Sequence, residues 1–157
     1  YNYFYTLKGF YHMNEQSFIN IAHEIAKSSK CVSKQVGAII VKEGRILSTG
    51  YNGTPKNFIN CCDHWNGEHT KEHHDWSKKY EIHAEMNAII WAARNGISIE
   101  GATIYVTLEP CSECAKNIIA SGINKIIFDK YYEHNISSEI SNFIEINDII
   151  FKNIKEL

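Results

Sequence analysis

Between Asn14 and about Ser29 the apolar residues Phe18, Ile21, Ala22, Ile25 and Ala26 recur at helical spacing, which predicts a first helix. Val36 to Val41 is a short apolar run, Glu43-Gly44 is a turn signal, and Arg45 to Tyr51 reads as the return, so an antiparallel hairpin is expected. Asn52 to about Trp76 is polar and carries Gly53, Pro55 and Gly67. It is too long for a plain connection and reads as functional, or as held by something other than a core. Ala84 to Asn95 is apolar nearly all round and stops at Gly96, which predicts a helix that is central or lies in an interface. A strand over Ala102–Thr107, a helix over Ser112–Ser121 closed by Gly122, and a strand over Lys125–Phe128 follow. A weaker helix near Ser137–Ile144 and a last strand near Asp148–Phe151 complete the chain. The order α-β-β-α-β-α-β-α-β predicts an α/β fold, a mixed sheet with helices on both faces.

No repeat or linker interrupts this pattern, and 157 residues suit one domain, read from Met13 to Leu157. Tyr1 to His12 reads as a tag or a disordered arm ending at a His12-Met13 junction, and it lacks the charge and apolar run of a secretory signal. The composition, 44% hydrophobic and 22% charged, is that of a globule rather than a fibrous or disordered chain. No apolar run is long enough for a membrane span. A formal net charge of -2 argues against a nucleic-acid partner, which wants a broad basic face, but leaves room for a small anion. Five cysteines, an odd number, fit a reducing, cytoplasmic setting in which thiols bind metal or do chemistry.

Two segments carry metal-ligand spacing: His83-Ala84-Glu85 and Pro110-Cys111-Ser112-Glu113-Cys114. Each falls where a helix is predicted to begin. Cys111 and Cys114, three apart in a first turn, lie on one face. One imidazole and two thiolates leave a fourth tetrahedral position open, the mark of a catalytic rather than a structural zinc. Two helix N-termini would add positive potential there, and water in the open position ionises near neutral pH. Glu85 is close but need not ligate, which makes it a natural proton shuttle. A redox pair gives no reason for His-x-Glu upstream, and a closed zinc ribbon needs a second Cys-x-x-Cys, which is missing. The joint pattern His-x-Glu with Pro-Cys-x-x-Cys is the one that marks zinc deaminases of nucleobases.

Further segments extend the likeness: Gly50-Tyr51-Asn52-Gly53-Thr54-Pro55, Cys61-Cys62-Asp63, Glu81 to Glu85, and Thr107-Leu108-Glu109-Pro110-Cys111. With them, Asn14 to about Tyr132 resembles the phage-type deoxycytidylate (dCMP) deaminases of the zinc-dependent cytidine deaminase superfamily. The resemblance implies a three-layer fold with a five-stranded mixed sheet. It implies hydrolytic loss of ammonia at C4 of dCMP, giving dUMP for dTMP synthesis, with Glu85 moving the protons. It places Asn52 at the sugar 3′-hydroxyl, Val36 and Ala84 at the base, and Tyr132 near the substrate. It selects Cys31, Cys61, His74 and Glu81 as a closed structural zinc site, with His73 or Cys62 as alternative ligands. It further implies a homohexamer switched by dCTP and dTTP bound with Mg²⁺, with Arg94 and Gly53 tied to that control. One position departs from the pattern: Glu109 stands where these enzymes tend to have Ser and where nucleoside and tRNA deaminases often have Glu.

Two other functions compete. A nucleoside or tRNA adenosine deaminase would share the zinc motif, but the mild negative charge and the lack of a basic C-terminal helix disfavour tRNA. A catalytically inactive zinc module that only binds nucleotides would have no use for Glu85 beside an open metal position.

Overall fold

The computed structural model describes residues 13–66, 70–132 and 138–157, with the side chains of 138 and 139 left aside. The arm predicted over Tyr1–His12, and Gly67, His69 and Ser137, lie outside the described residues. Five strands form one sheet in the order β2-β1-β3-β4-β5: β1 (Gly37–Lys42), β2 (Arg45–Tyr51), β3 (Thr103–Leu108), β4 (Lys125–Lys130) and β5 (Ile150–Asn153). β1 runs antiparallel to β2 and β3, while β3–β4 and β4–β5 are parallel, so the sheet is mixed as expected. The hairpin turns at Glu43 and Gly44, both at positive φ (51° and 74°), a two-residue turn whose twist matches that of the strands.

The three central strands, β1, β3 and β4, are buried on both faces because helices cover both sides of the sheet there. Ile39, Val41, Tyr105 and Ile127 point to one side, where α1 (Glu15–Ala26) packs Phe18, Ile19 and Ala22. Ala38, Ile40, Ile104, Val106 and Ile126 point to the other, against α4 (Ala84–Arg94) and α5 (Ser112–Ala120). The helices come very close to the sheet. A Cβ at Gly37 would stand 2.1 Å from the Ala22 carbonyl oxygen, and one at Gly50 would stand 2.2 Å from that of Ala84. Only glycine admits α4 to β2 at that distance, and the Ser48 hydroxyl adds a 2.6 Å bond to the Ala88 carbonyl.

The polar segment after Asn52 differs from expectation. It contains two helices, α2 (Cys61–His64) and α3 (Lys71–Tyr80). α3 starts at Thr70, whose hydroxyl accepts from the His73 N–H. Its side chains meet an aromatic cluster instead of the sheet: Trp76 stacks on His64 at 4.9 Å, and Phe58 stacks on Tyr80 at 5.0 Å. The last helix, α6 (Ser138–Ile146), and β5 fall close to their predicted places. β5 begins two residues late because Asp148 takes a left-handed φ of 53° in the turn before it.

Candidate active site and metal centres

α4 and α5 begin at one place. His83 is the residue before α4 and Cys111 the residue before α5; both are extended, and neither side chain caps its own helix. Their donor atoms are therefore free to turn toward each other, while first-turn N–H groups of both helices lack intrahelical partners there. His83 Nδ1 lies 3.3 Å from Cys114 Sγ and 3.6 Å from Cys111 Sγ. The three ligand atoms fall within 4.8 Å of one another, as a tetrahedral metal requires. A bridge between Gly53 and Ile82 (N···O 3.1 and 2.8 Å) pins the strand leading into His83.

The sulfurs compete for ionisation. The Cys111 thiol is brought down to about 4, by its hydrogen bond with Cys114 first and by His83 as well. Cys114 is pushed up by that same bond and by burial, and His83 is raised by its bond to Cys111. A divalent cation between them would let both thiols ionise and the imidazole stay neutral, so the donor set fits zinc. Glu85, only 4% exposed, sits in the first turn of α4 beside this group. Burial raises its carboxyl, against the pull of its own N–H and of His83.

A cleft of about 890 Å³ opens over these residues. Val36, Asn52, Ala84 and Tyr132 line it, together with His83, Glu85, Cys111 and Cys114. Asn52 holds the chain beside it with both amide atoms. Its Oδ1 accepts from the Val36 N–H at 2.8 Å and its Nδ2 donates to the Lys34 carbonyl at 2.8 Å, leaving one N–H and one lone pair for a ligand. Lys34, Lys78 and Ser33 also line the cleft; no local motif marks them, since isolated surface lysines read as solvated. Arg94 is exposed at the end of α4 and does not line this cleft, and neither does Gly53.

A second donor group borders the same cleft, which Cys31, His73 and Glu81 also line. Cys31, Cys61 and His73 are all buried, with ligand atoms within 4.8 Å of one another and Cys61 Sγ 3.1 Å from His73 Nε2. His73, rather than the expected His74, completes this group. Neighbouring residues of a helix point about 100° apart, so only one of the two can face Cys61. His74 turns to solvent, 68% exposed, with Nδ1 3.5 Å from Asp75. Glu81 is near enough that its charge raises both cysteines, although burial is the larger cause. One Glu81 oxygen accepts from Ser77, and Oε1 is buried without a hydrogen-bond partner. A buried carboxylate oxygen beside two thiols and an imidazole is a donor set that fits a divalent cation. Cys62 is exposed and outside the group.

The family model for the cytidine and deoxycytidylate deaminase zinc-binding region matches residues 12–130. The chain belongs to this family. A deoxycytidylate deaminase of Enterobacteria phage T4 is 44% identical over 156 aligned residues, 78% of this chain and 81% of that one. One from Mus musculus is 37% identical, covering 86% of this chain and 76% of that one. The crystal structure of the dCMP deaminase of cyanophage S-TIM5, in complex with dCMP and dUMP, superposes with a TM-score of 0.73 at 28% identity, over 91% of this chain and all of that one. As a deaminase of this family the chain is a zinc protein with the family's fold. Among the described residues no helix is long and apolar enough to cross a membrane.

Proposed function

We propose that this deaminase converts dCMP to dUMP and ammonia. One observation carries the reading: His83, Cys111 and Cys114 converge at the mouths of two helices, with a buried glutamate beside them and a nucleotide-sized cleft above. Zinc held by those three donors supplies a Lewis acid that makes water acidic near neutral pH. Glu85 takes one proton of the water that adds to C4 and passes it to N3; it then relays the proton of the new C4 hydroxyl to the amine, the C4–N bond breaks, and ammonia leaves as the C4 carbonyl forms. The burial of Glu85 keeps bulk water away from a group that must both take and give a proton. Ala84 and Val36 wall the base, and Asn52 offers its remaining donor and acceptor to the sugar. Tyr132 is a wall for the nucleotide, and Lys34 and Lys78, which line the cleft, are the cations that suit a 5′-phosphate.

The second group, Cys31, Cys61, His73 and Glu81, holds a structural zinc. It ties the segment between α1 and β1, together with α2 and α3, to a point two residues before His83, so it braces the catalytic donors. A homohexamer regulated by dCTP and dTTP with Mg²⁺, with Arg94 and Gly53 in that control, fits the same family and a cytoplasmic setting. The apolar face of α4, with Trp91 52% exposed, agrees with subunit packing.

The test is a spectrophotometric assay of the zinc-loaded protein on dCMP, dCTP, cytidine and adenosine-containing tRNA, with and without dCTP-Mg²⁺. Turnover of dCMP well above the others is expected. Preference for cytidine or tRNA would overturn the substrate assignment, and no turnover of any would favour a binding module.

A further inference from the structure

Glu109 occupies the junction between the end of β3 and the catalytic Cys111. Its backbone N–H donates to the Lys130 carbonyl at 2.8 Å, extending the parallel β3–β4 pairing one residue past Leu108–Lys130. Its side chain then reaches around the end of β4, where Oε2 accepts from the Tyr132 N–H at 3.0 Å. One residue thus fixes the chain on both sides of Tyr131, with its backbone at 130 and its carboxylate at 132. Tyr131 faces outward, 63% exposed, with its hydroxyl on Glu156 at 2.8 Å. Tyr132 faces the cleft, and the Lys34 ammonium stands 4.6 Å from its ring centroid. The Lys34 backbone carbonyl accepts from Asn52 Nδ2 at 2.8 Å.

We propose that Glu109 is a positioning residue for substrate binding: by clamping the Tyr132 amide it sets that ring, and the lysine over it, as one wall of the cleft. A carboxylate suits the task, because hydrogen bonds to a charged acceptor are stronger than neutral ones and, among the described residues, β5 pairs with β4 only as far as Phe128. Glu109 acts through Tyr132 and takes no part in proton transfer, which stays with Glu85. The inference rests on the reading of this cleft as the nucleotide site.

The decisive variants are Glu109→Ala and Glu109→Gln in the zinc-loaded enzyme. Glu109→Ala is expected to raise KM for dCMP about tenfold with kcat changed less than about twofold, and Glu109→Gln, which keeps an acceptor, to restore most of that loss. In a Tyr132→Ala background, removing Glu109 should add little further. Loss in kcat alone, equal losses in both variants, or full additivity with Tyr132→Ala would each overturn the proposal. Amide exchange at Tyr132, measured without substrate, separates this result from the choice of substrate. It should quicken in Glu109→Ala but not in Glu109→Gln, and equal exchange in all three proteins would remove the clamp even if dCMP is turned over. Wild-type failure on dCMP, with the exchange difference intact, would instead count against the substrate.

Discussion

Glu85 and the donors around it differ in what their loss should do. Glu85→Gln keeps the shape and burial of the side chain but cannot accept a proton. Zinc content and thermal midpoint should therefore stay near wild type, while dCMP turnover falls by roughly 10²- to 10⁴-fold, the range for a general acid–base group. Elemental analysis and the absorbance assay together check it, and near-normal turnover would end the shuttle role. The two neighbouring histidines of α3 give a sharper contrast. His73 is buried against Cys61, whereas His74 is in solvent. His73→Ala should lower the metal content from two per chain to about one and destabilise the segment around α3, and His74→Ala should change neither. If His74→Ala alone loses a metal, the second centre is built otherwise than the geometry places it.

At the scale of elements, the site depends on how closely α4 lies on β2. Gly50→Ala would bring a methyl within 2.2 Å of the Ala84 carbonyl oxygen and 2.5 Å of the Ala88 amide nitrogen, both backbone atoms that cannot swing aside. The helix must move, at a cost of about 1–3 kcal/mol for an overpacked core. His83 and Glu85 move with it, so a urea midpoint and a zinc titration should both fall, and turnover should drop more than stability alone explains. The same elements show what a sequence can declare. The hairpin and the β3–α5–β4 unit were legible because apolar runs are bounded by glycine turns, and His83, Glu85, Cys111 and Cys114 because each pair sits within one helical turn. α3 was not legible: of its ten residues only His73 is buried, so no apolar stripe exists to betray a helix. For the same reason spacing could not choose between His73 and His74, since their partners Cys31 and Cys61 arrive from distant segments. Lys34 and Lys78 reach the cleft only through tertiary folding, which local pattern does not encode.

Across the whole molecule, chemistry is gathered on the α4–α5 side of the sheet and the opposite face is closed by α1, which makes the two sides separable by experiment. Glu15, in the first turn of α1, takes the Lys125 ammonium of β4 at 2.7 Å and the hydroxyl of Tyr105 in β3. Burial alone would raise the Glu15 carboxyl, but Lys125 and Tyr105 outweigh it and hold it below the usual carboxylate range. A carboxylate depressed by folding contributes stability that is complete above its unfolded pKa and is lost as pH falls through the folded value. The window therefore lies below about 4.5, the ordinary value. Glu15→Gln should lower the urea midpoint at neutral pH by a small step, at most about 1 kcal/mol because the side chain is 36% exposed and partly screened. The gap between the two proteins should close at the acid end, where wild type is protonated as well. Metal loss in acid, as imidazole and thiolates take up protons, weakens both proteins alike, so the difference between the two curves isolates Glu15. Turnover of dCMP at neutral pH should be unchanged, because Glu15 belongs to the face that carries no cleft residue. A gap that widens in acid would mean that Glu15 is not held as the ion, and a fall in kcat would mean that the two faces are coupled through the sheet.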